Sequence, residues 1–166
     1  MFGGKSLIPM ALAVQANGGG GRVVGVEPWS AAVAVAEATN ETNDAWWSSV
    51  DFAAIKTRFF ANATRYGVLP LIKIFETDSE TALAIFERGG PQFDLAHIDG
   101  AHSPERARRD AECWLKLVKP GGVVVFDDIG WPSVKAAREF LQRSCDVIEE
   151  VFENDSSVSY GAYRAR

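Results

Sequence analysis

Four short runs rich in β-branched and aromatic residues punctuate the chain, and each ends in an acid. They are RVVGVEP at 22–28, LIKIFE at 71–76, FDLAHID at 93–99 and GVVVFDD at 122–128. Between them the apolar period changes. Phe52, Ile55, Phe59 and Ala63 recur at three and four residues within 49–66. Ala107, Ala111, Trp114, Leu115 and Val118 do the same within 104–118, and Val134, Ala137, Phe140 and Leu141 within 133–143. A strand repeats its face every two residues and a helix every 3.6, so these spacings tell the two apart. Strands alternating with helices predict βαβ units and an α/β fold with a mostly parallel sheet. Runs 93–98 and 122–126 are apolar throughout except for Asp94 and His97, which suits strands covered on both faces.

Local signals mark the boundaries. Ser103-Pro104-Glu105 reads as an N-cap, a proline at the first helical position and an acid in the first turn. KPGG at 119–122 reads as a stop and turn. The C-terminal segment from Cys145 reads as two strands around an Asn154-Asp155-Ser156-Ser157 turn, hence an antiparallel hairpin. The glycine run 18–21 precedes a strand, where a dinucleotide fingerprint must follow one, so it is expected to end a helix. The helix before it is expected to start near Ser6. Residues 1–18 also have the lysine, apolar run and small-x-small ending of a signal peptide. The helix reading is preferred because the next segment needs a helix to cover it. The polar stretch 38–49 is expected to be a long irregular insert, with Trp46 and Trp47 suggesting a lid or binding loop.

With 166 residues the chain has the length of one ordinary domain. Its net charge of −5 argues against gripping a nucleic-acid backbone and leaves a small molecule as the expected partner. Cys113 and Cys145 fit neither a metal spacing nor a disulfide framework and are expected to be reduced structural thiols. No apolar stretch approaches the ~20 residues that span a bilayer. A cytoplasmic location, no membrane partner and room for a homo-oligomer complete the expectation.

In open parallel sheets, ligands bind beyond the carboxyl ends of the strands. The runs deliver Glu27, Glu76 with Asp78, Asp99, and Asp127 with Asp128 to that edge. Strands 93–98 and 122–127 are joined by a single helix, so they should be neighbours ~4.8 Å apart. Asp99, Asp127 and Asp128 would then meet. Either a divalent cation such as Mg²⁺ relieves their repulsion, or they cap helices and face water. His102, in the loop after Asp99, is a candidate ligand or general base, or has no site role. His97 is expected to be a hydrogen-bonded core histidine. Glu27 stands where nucleoside-binding folds grip ribose hydroxyls, and Trp29 either flanks a base or packs. The Gly3-Gly4-Lys5-Ser6 loop opens a helix and would aim free N–H groups at a ligand.

Taken in order, FGGKS, VVGVEPW, ETDS, FDLAHIDGAHS and LVKPGGVVVFDDI resemble successive motifs of the class I S-adenosylmethionine-dependent methyltransferases. The nearest-looking branch is a small bacterial group with IDG-x-H and GG-x-x-x-x-DD motifs. The resemblance implies a Rossmann-like sheet with helices on both faces, and S-adenosyl-L-methionine as cofactor. It implies that Gly3, Gly4 and Ser6 form the loop under the cofactor's methionine part and that Glu27 holds the ribose, with Trp29 beside it. Asp78 and Ser79 match the adenine-side loop. Asp99 is expected at the cofactor too, and with Asp127 and Asp128 it matches the acidic trio that binds Mg²⁺ in sugar O-methyltransferases of this type and in cephalosporin-hydroxylase-like proteins. The implied reaction is metal-assisted O-methylation of a small hydroxylated, sugar-like acceptor, with Asp99 and His102 as the catalytic pair and Trp46 and Trp47 covering the acceptor. The rivals are a non-catalytic remnant and a metal-dependent hydroxylase-like relative. The family's first strand precedes the FGG loop, and here Met1 stands directly before it. The expectation is one methyltransferase-like domain over 1–166 without its first central strand, either shortened or continued upstream.

Overall fold

The computed structural model describes residues 2–36, 41–89, 92–153 and 158–166. Their contacts gather into two compact units, Met1–Ala82 and Leu83–Arg166.

The first unit begins with α1 (Leu7–Ala16), which Ser6 starts, as expected. Gly18 and Gly19, at φ 90° and 69°, close it: their N–H groups donate to Gln15 O and Val14 O. Next come β1 (Val23–Val26), the short α2 (Ala31–Ala34) and α4 (Phe52–Arg65), preceded by α3 (Glu41–Ser49). β2 (Ile72–Phe75) pairs with β1 in parallel, Val23 beside Ile72 and Val26 beside Phe75. The periodic residues of α4 do what their spacing predicts: Phe52, Phe59 and Ala63 are buried. They pack with Leu7, Ile8, Ala11, Val23 and Trp29. Each large side chain buried this way contributes about 1.5–3 kcal/mol. Asp51 caps the helix, its Oδ1 accepting from Ala54 N at 2.9 Å.

The insert over 38–49 is a correction. Its residues 41–49 form helix α3 rather than irregular chain; residues 38–40 lie outside the described residues. The helix has no buried face, so no period announces it. Glu41 and Asp44 sit in its first turn, where negative charge is favourable. Its far end is held by aromatic contact, the Trp47 and Trp46 rings lying 5.4 and 6.2 Å from that of Phe2.

The second unit is a four-stranded sheet in the order β3-β4-β6-β5. The helix α5 (Ser79–Phe86), too short for a clear period and begun in the first unit, leads into β3 (Phe93–Ile98). The helix α6 (Pro104–Leu115) then returns the chain to β4 (Val118–Asp127), parallel to β3. After α7 (Lys135–Ser144), β5 (Cys145–Phe152) and β6 (Ser159–Ala165) form the expected antiparallel hairpin, with β6 inserted beside β4. The 154–157 turn lies outside the described residues. KPGG is a second correction. It is not a turn before the strand but part of β4, which begins at Val118. Gly121 at φ 81° and a register shift opposite Phe93–Leu95 make a bulge there. A Cβ on Gly122 would stand 2.9 Å from Asp94 O, so β4 needs glycine to approach β3 that closely.

Ala107 and Ala111 of α6, Val124 and Phe126 of β4, Ala137 and Leu141 of α7 and Tyr163 of β6 fill this unit's core. One polar cluster is built into it. Glu150 accepts from Arg138 Nε at 3.0 Å, Gln142 Nε2 at 2.9 Å and Tyr163 OH at 2.7 Å. The Arg138 guanidinium holds the Glu150 carboxyl below the ordinary glutamate range, and burial pushes the Tyr163 phenol up. Both cysteines are free, Cys145 fully buried, and no helix among the described residues is long and apolar enough to cross a membrane.

Candidate functional site

In the second unit the site grows from two strand ends. β3 stops at Ile98, and Asp99-Gly100 leaves it in a turn toward α6. A Cβ on Gly100 would meet the buried Asp110 of α6 at 2.9 Å, so the turn passes close over that helix because residue 100 is glycine. Ser103 then takes the N-cap position with extended backbone, φ −66° and ψ 145°, and Pro104 opens α6 as its sequence implies. That fixes His102 directly before a rigid helix start.

β4 ends in Asp127-Asp128. Consecutive residues of a strand point to opposite faces, and here the chain also turns sharply, with Asp128 at φ 57°. The two acids therefore take different partners. Asp127 Oδ2 lies 3.0 Å from His97 Nε2, which gives His97 the hydrogen-bonded, half-buried setting expected of it. Asp128 Oδ2 lies 2.9 Å from His102 Nε2. Ligand atoms of Asp99, His102 and Asp128 all fall within 4.8 Å of one another. The expected trio of Asp99, Asp127 and Asp128 is thus replaced by Asp99, His102 and Asp128, because Asp127 is turned to His97.

Two residues that hold this arrangement carried no signal in the sequence. Ser159, at the start of β6 and 3% exposed, accepts from Asp128 N through its carbonyl at 2.6 Å and from Gly130 N through its Oγ at 2.7 Å. It pins the turn that aims Asp128. The Trp131 ring lies 4.8 Å from that of His102, tilted by 30°. Only pairing β6 beside β4 brings residue 159 to 128, and no spacing along the chain announces that.

In the first unit, Gly4 is buried at φ 93°, and a Cβ there would stand 2.8 Å from both Ile8 Cδ1 and Phe59 Cδ2. Gly3 has room by comparison, its built Cβ meeting Ile55 at 4.0 Å. Ser6 makes no side-chain cap bond to α1. Glu27 stands just past β1, and its carboxylate accepts from Phe2 N at 2.7 Å and Trp29 N at 3.1 Å. Trp29 does not present its ring at an open edge. It is 7% exposed and packs on Phe59 and Phe60, with centroids 5.7 and 6.0 Å away. Asp78 caps α5: its Oδ1 accepts from Thr81 N at 2.8 Å and its Oδ2 from Thr81 Oγ1 at 2.9 Å, bonds that lower its pKa. Ser79 is the first residue of that helix.

Chemically, the second unit offers two carboxylates and an imidazole that can hold a cation or take a proton. The first offers a glycine turn and a braced carboxylate suited to hydroxyl protons. No curated protein matches the sequence. In solved structures the fold is similar to that of the O-methyltransferase TomG from Streptomyces achromogenes, involved in tomaymycin synthesis and solved with SAM. The TM-score is 0.66 at 21% identity, over 99% of this chain and 69% of that one. Cofactor-bound Rv0187 from MTB is similar with TM-score 0.62 at 22% identity, over 99% of this chain and 69% of that one. The O-methyltransferase from Bacillus cereus in complex with SAH has TM-score 0.57 at 13% identity, over 96% and 80%. These likenesses show the fold. The model of the family described as "Methyltransferase domain" matches residues 1–129, and the chain belongs to that family, among the class I S-adenosylmethionine-dependent methyltransferases.

Proposed function

We propose that the protein transfers the methyl group of S-adenosyl-L-methionine to a hydroxyl oxygen of a small, sugar-like acceptor, assisted by a divalent cation. The observation that carries the oxygen acceptor is the meeting of Asp99, His102 and Asp128 at the ends of β3 and β4. A sulfonium methyl needs no activation by the protein, but a hydroxyl is a poor nucleophile until its proton has somewhere to go.

His102 supplies that place. Asp128, as a carboxylate, can only accept, so the 2.9 Å contact puts the hydrogen of neutral His102 on Nε2. Nδ1 then carries the lone pair that takes the acceptor's proton, and Asp128 stabilises the imidazolium that results. Trp131 keeps the ring's plane fixed. As the proton leaves for His102, the acceptor oxygen forms its bond to the methyl carbon, the carbon–sulfur bond breaks, and the electron pair stays on sulfur in S-adenosylhomocysteine. Proximity and alignment supply most of the rate for such an in-line displacement. On the cofactor side, Glu27 is assigned the ribose hydroxyls and the Gly3-Gly4 turn the methionine part.

The donor set suits a divalent ion. Two carboxylate oxygens suit a hard divalent ion such as Mg²⁺ or Mn²⁺. Asp99 and Asp128 would hold it, which leaves the His102 lone pair for the proton. The chemistry such an ion supplies is a lower pKa for the bound hydroxyl. Two carboxylates beside one another also suit a vicinal diol, which supports the sugar-like class.

Melting curves with and without Mn²⁺ or Mg²⁺, together with calorimetric titration of S-adenosylhomocysteine, test the reading. A ligand bound only by the native state raises the melting temperature. The rise should vanish in Asp128→Asn and persist in Asp127→Asn. No metal response in the folded parent removes the cation, and no binding of S-adenosylhomocysteine removes the methyl transfer.

A further inference from the structure

Trp29 is a costly residue for the place it occupies. Its backbone is left-handed, φ 43°, a conformation that bulky side chains rarely adopt. Phe2 shares the anomaly at φ 40°. Strain of this kind persists only where the surroundings over-determine it. Three hydrogen bonds tie these two residues to Glu27 and to each other. Phe2 N donates to Glu27 Oε2 at 2.7 Å, Trp29 N donates to Glu27 Oε1 at 3.1 Å, and the Trp29 indole Nε1 donates back to Phe2 O at 3.0 Å. The Phe2 residue is thus gripped at both its N–H and its C=O, and each oxygen of Glu27 accepts from a backbone N–H.

The indole is itself locked. It lies against Phe59 and Phe60 in the unit's core, and Lys56 Nζ sits 5.4 Å from its centroid. Lys56 in turn pairs with Glu76 at 2.5 Å. So the aim of Glu27 is set by a buried aromatic ring rather than by a flexible loop.

We infer that Trp29 is a positioning residue for the cofactor: through its indole N–H and its left-handed backbone it holds Glu27 in the orientation that accepts the two ribose hydroxyls. The inference rests on the reading of Glu27 as the ribose acid. A carboxylate oxygen can accept more than one hydrogen bond, so an oxygen that accepts from a backbone N–H can also accept from a ribose hydroxyl. A carboxylate held in place loses less rotamer freedom when ligand arrives, and affinity rises by what is not lost. The role differs from stacking on a base, which the burial of the ring does not allow.

The test uses the full chain and two ligands, S-adenosylhomocysteine and its 2′,3′-dideoxyribose analogue, titrated by calorimetry. Trp29→Phe keeps an aromatic ring in the core and deletes the indole donor. It should weaken S-adenosylhomocysteine by about five- to tenfold, somewhat less than the loss of a whole hydrogen bond to a charged group, and leave the dideoxy analogue within about twofold. Should Trp29→Phe fold poorly, 3-benzothienylalanine at position 29 replaces the N–H with sulfur at nearly constant shape and should behave the same way. Equal weakening of both ligands, or none of either, overturns the inference, because a purely structural tryptophan has no means of sensing the ribose hydroxyls. Glu27→Ala is run beside them. If it binds both ligands as the parent does, the ribose reading of Glu27 fails and the brace fails with it. If it weakens only the ribose ligand while Trp29→Phe does not, the brace alone is wrong.

Discussion

Gly4→Ala places a methyl group where the structure has no room for one. The added Cβ would stand 2.8 Å from Ile8 Cδ1 and from Phe59 Cδ2, and 3.1 Å from Ile8 Cγ1. Phe59 is fully buried and Ile8 nearly so, so neither can swing away into water. The backbone adds a second cost, because φ 93° is a conformation for glycine. An L-residue in the left-handed region costs about 1–2 kcal/mol, and overpacking a filled core typically about 1–3 kcal/mol. Together they predict a loss of about 3 kcal/mol, which for a chain of this size lowers Tm by about 6–12 °C. Circular dichroism melting reads it directly. Gly20→Ala is the control, since nothing lies within 4 Å of its built Cβ. If the loss comes from forcing the turn before α1 open, affinity for S-adenosylhomocysteine should fall alongside Tm, because the same turn carries the N–H groups assigned to the cofactor. A Gly4→Ala protein that melts within about 1 °C of the parent, a small fraction of what such a strain implies, would refute the reasoning.

Other outcomes follow from single contacts. Glu150→Gln should lower Tm, because it leaves the Arg138 charge and the buried Tyr163 hydroxyl without their shared carboxylate; about 1.5–3 kcal/mol is the scale of a charged hydrogen bond. Because the folded Glu150 carboxyl lies below its ordinary value of 4.5, its contribution is complete above that pH and is lost as pH falls through the folded value. The parent should therefore lose stability on acidification below 4.5 more steeply than Glu150→Gln, as melting between pH 7 and pH 3 would read. Ser159→Ala removes the acceptor of Gly130 N and should cost about 0.5–2 kcal/mol. It should also reduce the melting shift produced by Mn²⁺, while a shift equal to the parent's would mean that Asp128 is aimed without it. Gly100→Ala should loosen the turn over Asp110 and weaken the same metal response.

The strands and the longer helices were legible because burial writes a period into the sequence. Phe52, Phe59 and Ala63 could be assigned to one face of α4 before any coordinate was known, and the structure buries all three. The helix α3 could not be read, because it buries nothing and is held by aromatic contact near its end. The β4 bulge could not be read either. Glycine and proline are turn signals in isolation, and only the opposed backbone of Asp94 reveals that Gly122 is there for close approach.

The strand-end acids show where such reading stops. By register Ile98 lies beside Phe126, so the next residues, Asp99 and Asp127, were expected side by side, and topology alone makes them a pair. Two features undo that pairing. His97 and Asp127 follow the same strand alternation, and a histidine nitrogen 3.0 Å away is a better partner for a carboxylate than another carboxylate. Asp99 has meanwhile left β3 at Gly100, and the left-handed turn at Asp128 sends the second acid toward His102 instead of continuing the strand. The sequence therefore supplies all five polar groups, but their partition into a His97–Asp127 pair and an Asp99–His102–Asp128 cluster is decided by one dihedral angle and by the grip of Ser159 on the turn. Asp99, the exposed member of the cluster, leaves it open to solvent.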